Sequence, residues 1–101
     1  MINWERKRYL AHGSFILEEA CFKGAQRIVL EFVVKNGKPC PRAFYCIGDR
    51  RMKGFELTAQ DIESARAEAY RKVHEWMEDE VSQWSTRLLQ MWQTENWEDK
   101  E

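Results

Sequence analysis

From residue 59 to residue 95 the chain runs without a glycine or a proline, more than a third of its 101 residues. Within this run Ile62, Ala65, Ala69, Val73, Trp76, Met77, Val81, Trp84, Leu88 and Met91 recur at spacings of three and four, the pattern of an amphipathic helix. Thr58 is placed as N-cap with Asp61 in the capping-box position, and Leu57 and Ile62 form a hydrophobic staple. Unbroken, such a helix would extend about 55 Å, whereas a compact chain of this size has a radius of gyration near 13 Å. An ordinary small sheet cannot cover it. Either the run folds back around residues 82–85 as a helical hairpin, or its distal half projects and buries its apolar side against another molecule.

At about 100° per residue, the apolar positions from Ile62 to Met77 share one stripe, while Leu89 and Trp92 fall to its side, so the apolar surface widens distally. Trp76, Trp84 and Trp92 recur every eight residues, each rotated by about 80° from the last. Trp76 is expected in the core, and Trp84 either packs there beside it or lies with Leu88, Leu89 and Trp92, which are harder to satisfy within so small a domain; tryptophan is enriched at interaction hot spots. These four are the expected partner-binding residues, for another protein or for a second copy in a dimer. Residues 96–101 read as an acidic tail.

The scaffold for this helix must be small. Leu, Ile, Val and Phe total 21 residues, close to the level below which chains cannot bury enough surface to fold. Thirteen aromatic residues, five of them Trp, supply the missing area and point to one folded domain over residues 1–101. The clearest strand signal lies on either side of Asn36-Gly37, a dipeptide suited to the two positive φ angles of a type I′ hairpin turn. Pairing outward from that turn sets Val33 opposite Cys40, Glu31 opposite Arg42, Val29 opposite Phe44 and Ile28 opposite Tyr45. One face then carries Ile28, Leu30, Phe32, Val34, Ala43, Tyr45 and Ile47 and meets the core. The other mixes apolar and charged residues, so part of it is expected to be covered. Pro39 and Pro41 fall where their missing N–H would point away from the hairpin partner, and they stop a further strand near the tip.

A third strand over residues 52–57 follows the Gly48-Asp49 turn. For residues 14–23, Leu17-Glu18-Glu19-Ala20 with Gly24 as C-cap predicts a short N-terminal helix. The expected fold is therefore α+β: a three-stranded antiparallel sheet over 27–57, packed on a long helix or helix pair over 59–95.

Net charge is −1, but residues 1–55 hold eleven Lys or Arg against five Asp or Glu, and residues 56–101 hold five against twelve. Two readings follow: oppositely charged halves that attract each other, or a functional basic surface. Lys35 and Lys38 at the hairpin tip, Arg42 on the strand, and Arg50, Arg51 and Lys53 around the next turn form a basic rim suited to phosphate contact. Three strands followed by a helix resemble, in topology alone, the βββα arrangement of AP2-type and integrase arm-binding domains. That resemblance implies a nucleic-acid-binding sheet as the alternative function.

No chemistry is marked in the sequence. Cys40 and Cys46 are six apart, with no close Cys or His pair to complete a zinc site. A Cys46–His74 nucleophile pair has nothing to activate it. Glu75, Glu78, Asp79 and Glu80 point in different directions around a helix and read as a solvated surface. No nucleotide-binding loop or nucleophile elbow occurs. The expectation is a non-enzymatic interaction protein without metal or cofactor. Three cysteines, no apolar leader and no membrane span suggest reduced thiols and a cytoplasmic setting.

Overall fold

The computed structural model describes residues 2–10 and 14–99, with the side chains of all of these except 92 and 94–99. Six strands precede one helix: β1 (Trp4–Tyr9), β2 (Phe15–Cys21), β3 (Gln26–Lys35), β4 (Lys38–Pro39), β5 (Arg42–Ile47), β6 (Arg50–Glu56) and α1 (Ile62–Asp99). The sheet is an antiparallel meander of order β1-β2-β3-β5-β6, with the short β4 pairing beside the tip of β3. The α+β class holds, but among the described residues there are six strands rather than three, and residues 15–21, where a helix was expected, form a strand. The βββα likeness is correspondingly partial, because two further strands continue the sheet beyond β3.

Asn36 and Gly37 both have positive φ, 52° and 76°, as a type I′ turn requires. The hairpin register is the one read from that turn, with Glu31 opposite Arg42, Val29 opposite Phe44 and Ile28 opposite Tyr45. Cys40 donates its N–H to the Val33 carbonyl. Pairing of β6 with β5 runs as far as Arg42–Glu56, and one more bond, from the Leu57 N–H to the Pro41 carbonyl, closes the ladder. Gly24 serves a turn between β2 and β3, not a helix end. Its φ is 75°, Ala25 follows at 58°, and the Phe22 N–H donates to the Gln26 carbonyl across the loop.

Residues 15–21 form a strand because their burial alternates, with Ile16, Glu18 and Ala20 buried on the helix side. Glu18 disguises the pattern by placing a charge on the inner face. Only 1% exposed, it receives two hydrogen bonds from Arg66 of α1, at 2.6 and 2.7 Å, and two from Arg6 of β1, at 3.1 and 3.0 Å. One carboxylate thereby ties β1, β2 and α1 together. Burial opposes its ionisation, but the hydrogen bonds and charges of Arg66 and Arg6 prevail and hold it below the ordinary carboxylate range.

The core lies between this sheet face and the first four turns of α1. Ile16, Ile28, Leu30, Phe32, Ala43 and Tyr45 meet Ala65, Ala69 and Val73, with Ile62, Trp76 and Met77 partly buried against them. Ala65 and Ala69 are fully buried, and their small side chains let the helix axis approach the sheet closely. Trp76 packs on Tyr45 and Phe55 at ring separations of 5.8 and 6.3 Å. Ile47, expected on this face, is 42% exposed, because it lies at the end of β5 beyond the helix footprint.

The helix begins three residues later than its predicted start. Asp61 is the N-cap: its carboxylate accepts the Ser64 N–H at 2.8 Å and the Ser64 hydroxyl at 3.0 Å. The N–H groups of Thr58 and Ala59 instead donate to Glu68, in the second turn of the helix. Thr58 is therefore a strap residue and not the cap.

Removing the Glu18 charge isolates the worth of the clamp. A Glu18→Gln variant is expected to lose about 2–3 kcal/mol at pH 7, below the usual cost of breaking a buried pair because both arginines can rehydrate. The native carboxyl titrates below its unfolded value of 4.5, so its contribution is complete above that value and declines as pH falls through the native one. Urea unfolding of both proteins at pH 7 and pH 3 should show the difference shrinking at the lower pH.

Candidate interaction surfaces

Two surfaces remain on the described residues once the core is accounted for: the distal half of α1 and the sheet face turned away from it. The helix does not break at residues 82–85. Its assignment is continuous from Ile62 to Asp99, and the Thr86 hydroxyl donates to the Ser82 carbonyl one turn back, at 3.1 Å, so these polar side chains are accommodated within the helix. Residues 96–99 are helical rather than tail, and 100–101 lie outside the described residues. The molecule measures 71 × 26 × 23 Å with a radius of gyration of 18.8 Å, well above the ~13 Å of a compact domain of this length.

The docked stripe ends near Met77, and beyond Glu80 every described side chain is exposed. Val81, Trp84, Leu88, Leu89 and Met91 are each between 53% and 68% accessible. Of the predicted partner-binding residues, Trp84, Leu88 and Leu89 are thus on the projecting surface; the side chain of Trp92 lies outside those described. The Arg87 guanidinium sits 5.3 Å from the Trp84 ring. Where the helix leaves the sheet, a cavity of about 160 Å³ opens between Phe22, Ile28 and Tyr45 on one side and Tyr70, Val73, His74 and Met77 on the other. A shallower depression carries on past Met77 to Val81 and Ser82.

The opposite sheet face carries no packed element among the described residues, but part of it is covered, as expected: Phe44 and Cys46 on it are buried. The cover for Phe44 comes from arginine side chains. Arg51 lies 3.6 Å over the Phe44 ring, with Arg42 at 5.5 Å. The same ring occupies the space beside Gly54, where a Cβ would approach it to 3.3 Å. A guanidinium over an aromatic face is favourable, and the ring shields the backbone that glycine leaves bare.

The predicted basic rim is not one surface. Arg42 is engaged by Glu31 at 2.8 Å, the pair anticipated from the register. Arg51 is opposite Cys46 on the open face, whereas Lys53 is opposite Tyr45 on the helix side, because an irregularity in the β5–β6 register intervenes. Arg50 pairs with Ile47 at the end of the ladder, and Lys35 with Lys38 at the far tip. Arg27 and Glu19 add a further ion pair on the open face at 3.6 Å.

Among the described residues, no three His, Cys, Asp or Glu side chains come together, and no helix is long and apolar enough to cross a membrane. Cys46 and His74 belong to opposite sides of the sheet, the thiol on the open face and the imidazole on the helix, where its Nδ1 lies 3.1 Å from Glu78. Compared with family models, with curated proteins and with solved structures, the chain shows no significant match.

Because the distal helix contributes nothing to the core, its substitution should spare the fold. Leu88→Gln is expected to shift unfolding free energy at low protein concentration by no more than about 0.5 kcal/mol. Val73→Ala, beneath the sheet, should cost about 1–3 kcal/mol. Urea melts of dilute protein followed by circular dichroism would make the comparison.

Proposed function

We propose that this chain is a small non-enzymatic interaction protein, an inhibitor, adaptor or regulator, in which the sheet is a mount and the distal half of α1 is the docking element. The supporting observation is the run of exposed large apolar side chains on Val81, Trp84, Leu88, Leu89 and Met91. Soluble proteins seldom leave so much contiguous apolar surface in water unless it is an interaction site. A rigid helix with apolar anchors at helical spacing also suits recognition in a groove or against another helix.

Nucleic-acid binding through the rim is the weaker reading, since Arg42 is committed to Glu31 and the remaining cations are divided between the two faces and the two ends of the sheet. A photo-crosslinking residue at Ser85, introduced in the native host, would identify what touches the helix. The purified partner is then titrated against wild type and against Leu88→Glu with Leu89→Glu. A loss of about 100-fold or more is expected if these are hot-spot anchors. Unchanged affinity would remove the docking role, and salt-sensitive binding to DNA or RNA lost in Arg50→Ala with Arg51→Ala would transfer the function to the sheet.

A further inference from the structure

Resting on that reading, we infer that the partner on this helix is a second copy of the chain, packed antiparallel in a two-stranded coiled coil. The distal apolar positions are not merely amphipathic. From Tyr70 through His74, Met77, Val81, Trp84 and Leu88 to Met91 the steps are four, three, four, three, four and three. That is the alternation of a heptad seam, distinct from the four-residue steps of Ala65, Ala69 and Val73 beneath the sheet. The seam starts beside the sheet, at exposed Tyr70 and His74, and leaves it as the helix projects.

Antiparallel packing brings the two kinds of seam position into the same layer. A register with the two-fold axis between Ser82 and Gln83 pairs every seam position from His74 to Met91. Val81 then meets the partner's Trp84, Met77 the partner's Leu88, and His74 the partner's Met91. The last two layers fall at the cavity beside Tyr70, His74 and Met77, whose open side admits the incoming apolar residues. The side chains on the seam bury on the order of 1,000 Å² in total when paired, near the lower bound for a specific interface.

Charge selects the same arrangement. Arg87 is the one Lys or Arg between residues 73 and 99. In the antiparallel register, flanking positions on one side of the seam face each other, which sets Glu80 against the partner's Arg87 twice over. The acidic run of Glu78, Asp79 and Glu80 then lies level with Ser85, Thr86 and Arg87 of the other chain. A parallel pair would instead bring the two acidic runs level and crowd both sheets at one end.

The test uses the full chain in sedimentation equilibrium from low to high micromolar concentration, with circular dichroism confirming the fold of each variant. Wild type is expected to dimerise reversibly. Glu80→Arg alone and Arg87→Glu alone should each weaken the dimer about tenfold or more, and the double variant should regain most of that loss. Loss of the Arg87–Trp84 contact cannot produce such a rescue. A dimer indifferent to Leu88→Glu, or one that the double reversal does not restore, overturns the proposed register. A wild type that stays monomeric overturns the self-pairing outright, and the titration of the cross-linked partner then shows separately whether the docking reading stands.

Discussion

A helix of 38 residues rises about 57 Å, while five strands at about 4.8 Å spacing make a sheet roughly 20 Å across. The mismatch governs the rest of the molecule. The inner sheet face supplies one apolar patch, centred on Ile28, Leu30, Ala43 and Tyr45, and the helix residues from Ile62 to Met77 consume it. Past that point there is no surface left to pack on. Helices in proteins draw most of their stability from packing of an apolar face, so the projecting half gains stability from any apolar surface laid along it. The proposed docking role and the persistence of the helix therefore share a physical origin.

Within the folded half, the buried carboxylate of Glu18 fixes how the pieces meet. Arg66 reaches it from the helix and Arg6 from the edge strand, so the orientation of α1 and the attachment of β1 depend on the same group. This ion pair also bears on the lopsided charge of the chain. Among the described residues, the pair joining the two halves runs opposite to their net charges, with a base on the acidic helix and an acid on the basic sheet. Other cations of the sheet pair with its own acids, as Arg27 does with Glu19 and Arg42 with Glu31.

How far this architecture was legible in the sequence follows from where polar residues fell. Asn36-Gly37 determined the hairpin and its register because few residue pairs accept two positive φ angles. The Gly- and Pro-free run with its periodic apolar residues identified the helix, and its length posed a choice between a fold-back and a projecting half, of which the structure has the second, with Trp84, Leu88 and Leu89 exposed. Residues 14–23 were misread because Glu18 interrupts the period-two pattern at an inner position, and arginines 12 residues before it and 48 residues after it make a charge tolerable there. The helix start slipped because Thr58, a good cap by type, has its own N–H taken by Glu68. The cover on Phe44 was equally illegible: it comes from arginines, one of which, Arg51, reaches it from a strand whose register shifts within the ladder.

The change of period along α1 divides the helix into two stretches suited to different surfaces. Beneath the sheet, steps of four from Ala65 to Val73 keep small side chains in line with a flat apolar surface. From Met77 onward, steps of four and three suit a narrow partner of the same curvature, another helix, better than a sheet or a broad groove. Glu78, Asp79 and Glu80 flank that transition and repel any partner presenting acids at the same height, so they restrict the choice of partner more than they strengthen binding. A partner must offer an apolar seam and a base beside it. The chain's own distal segment, with Leu88 on the seam and Arg87 at its flank, meets both conditions.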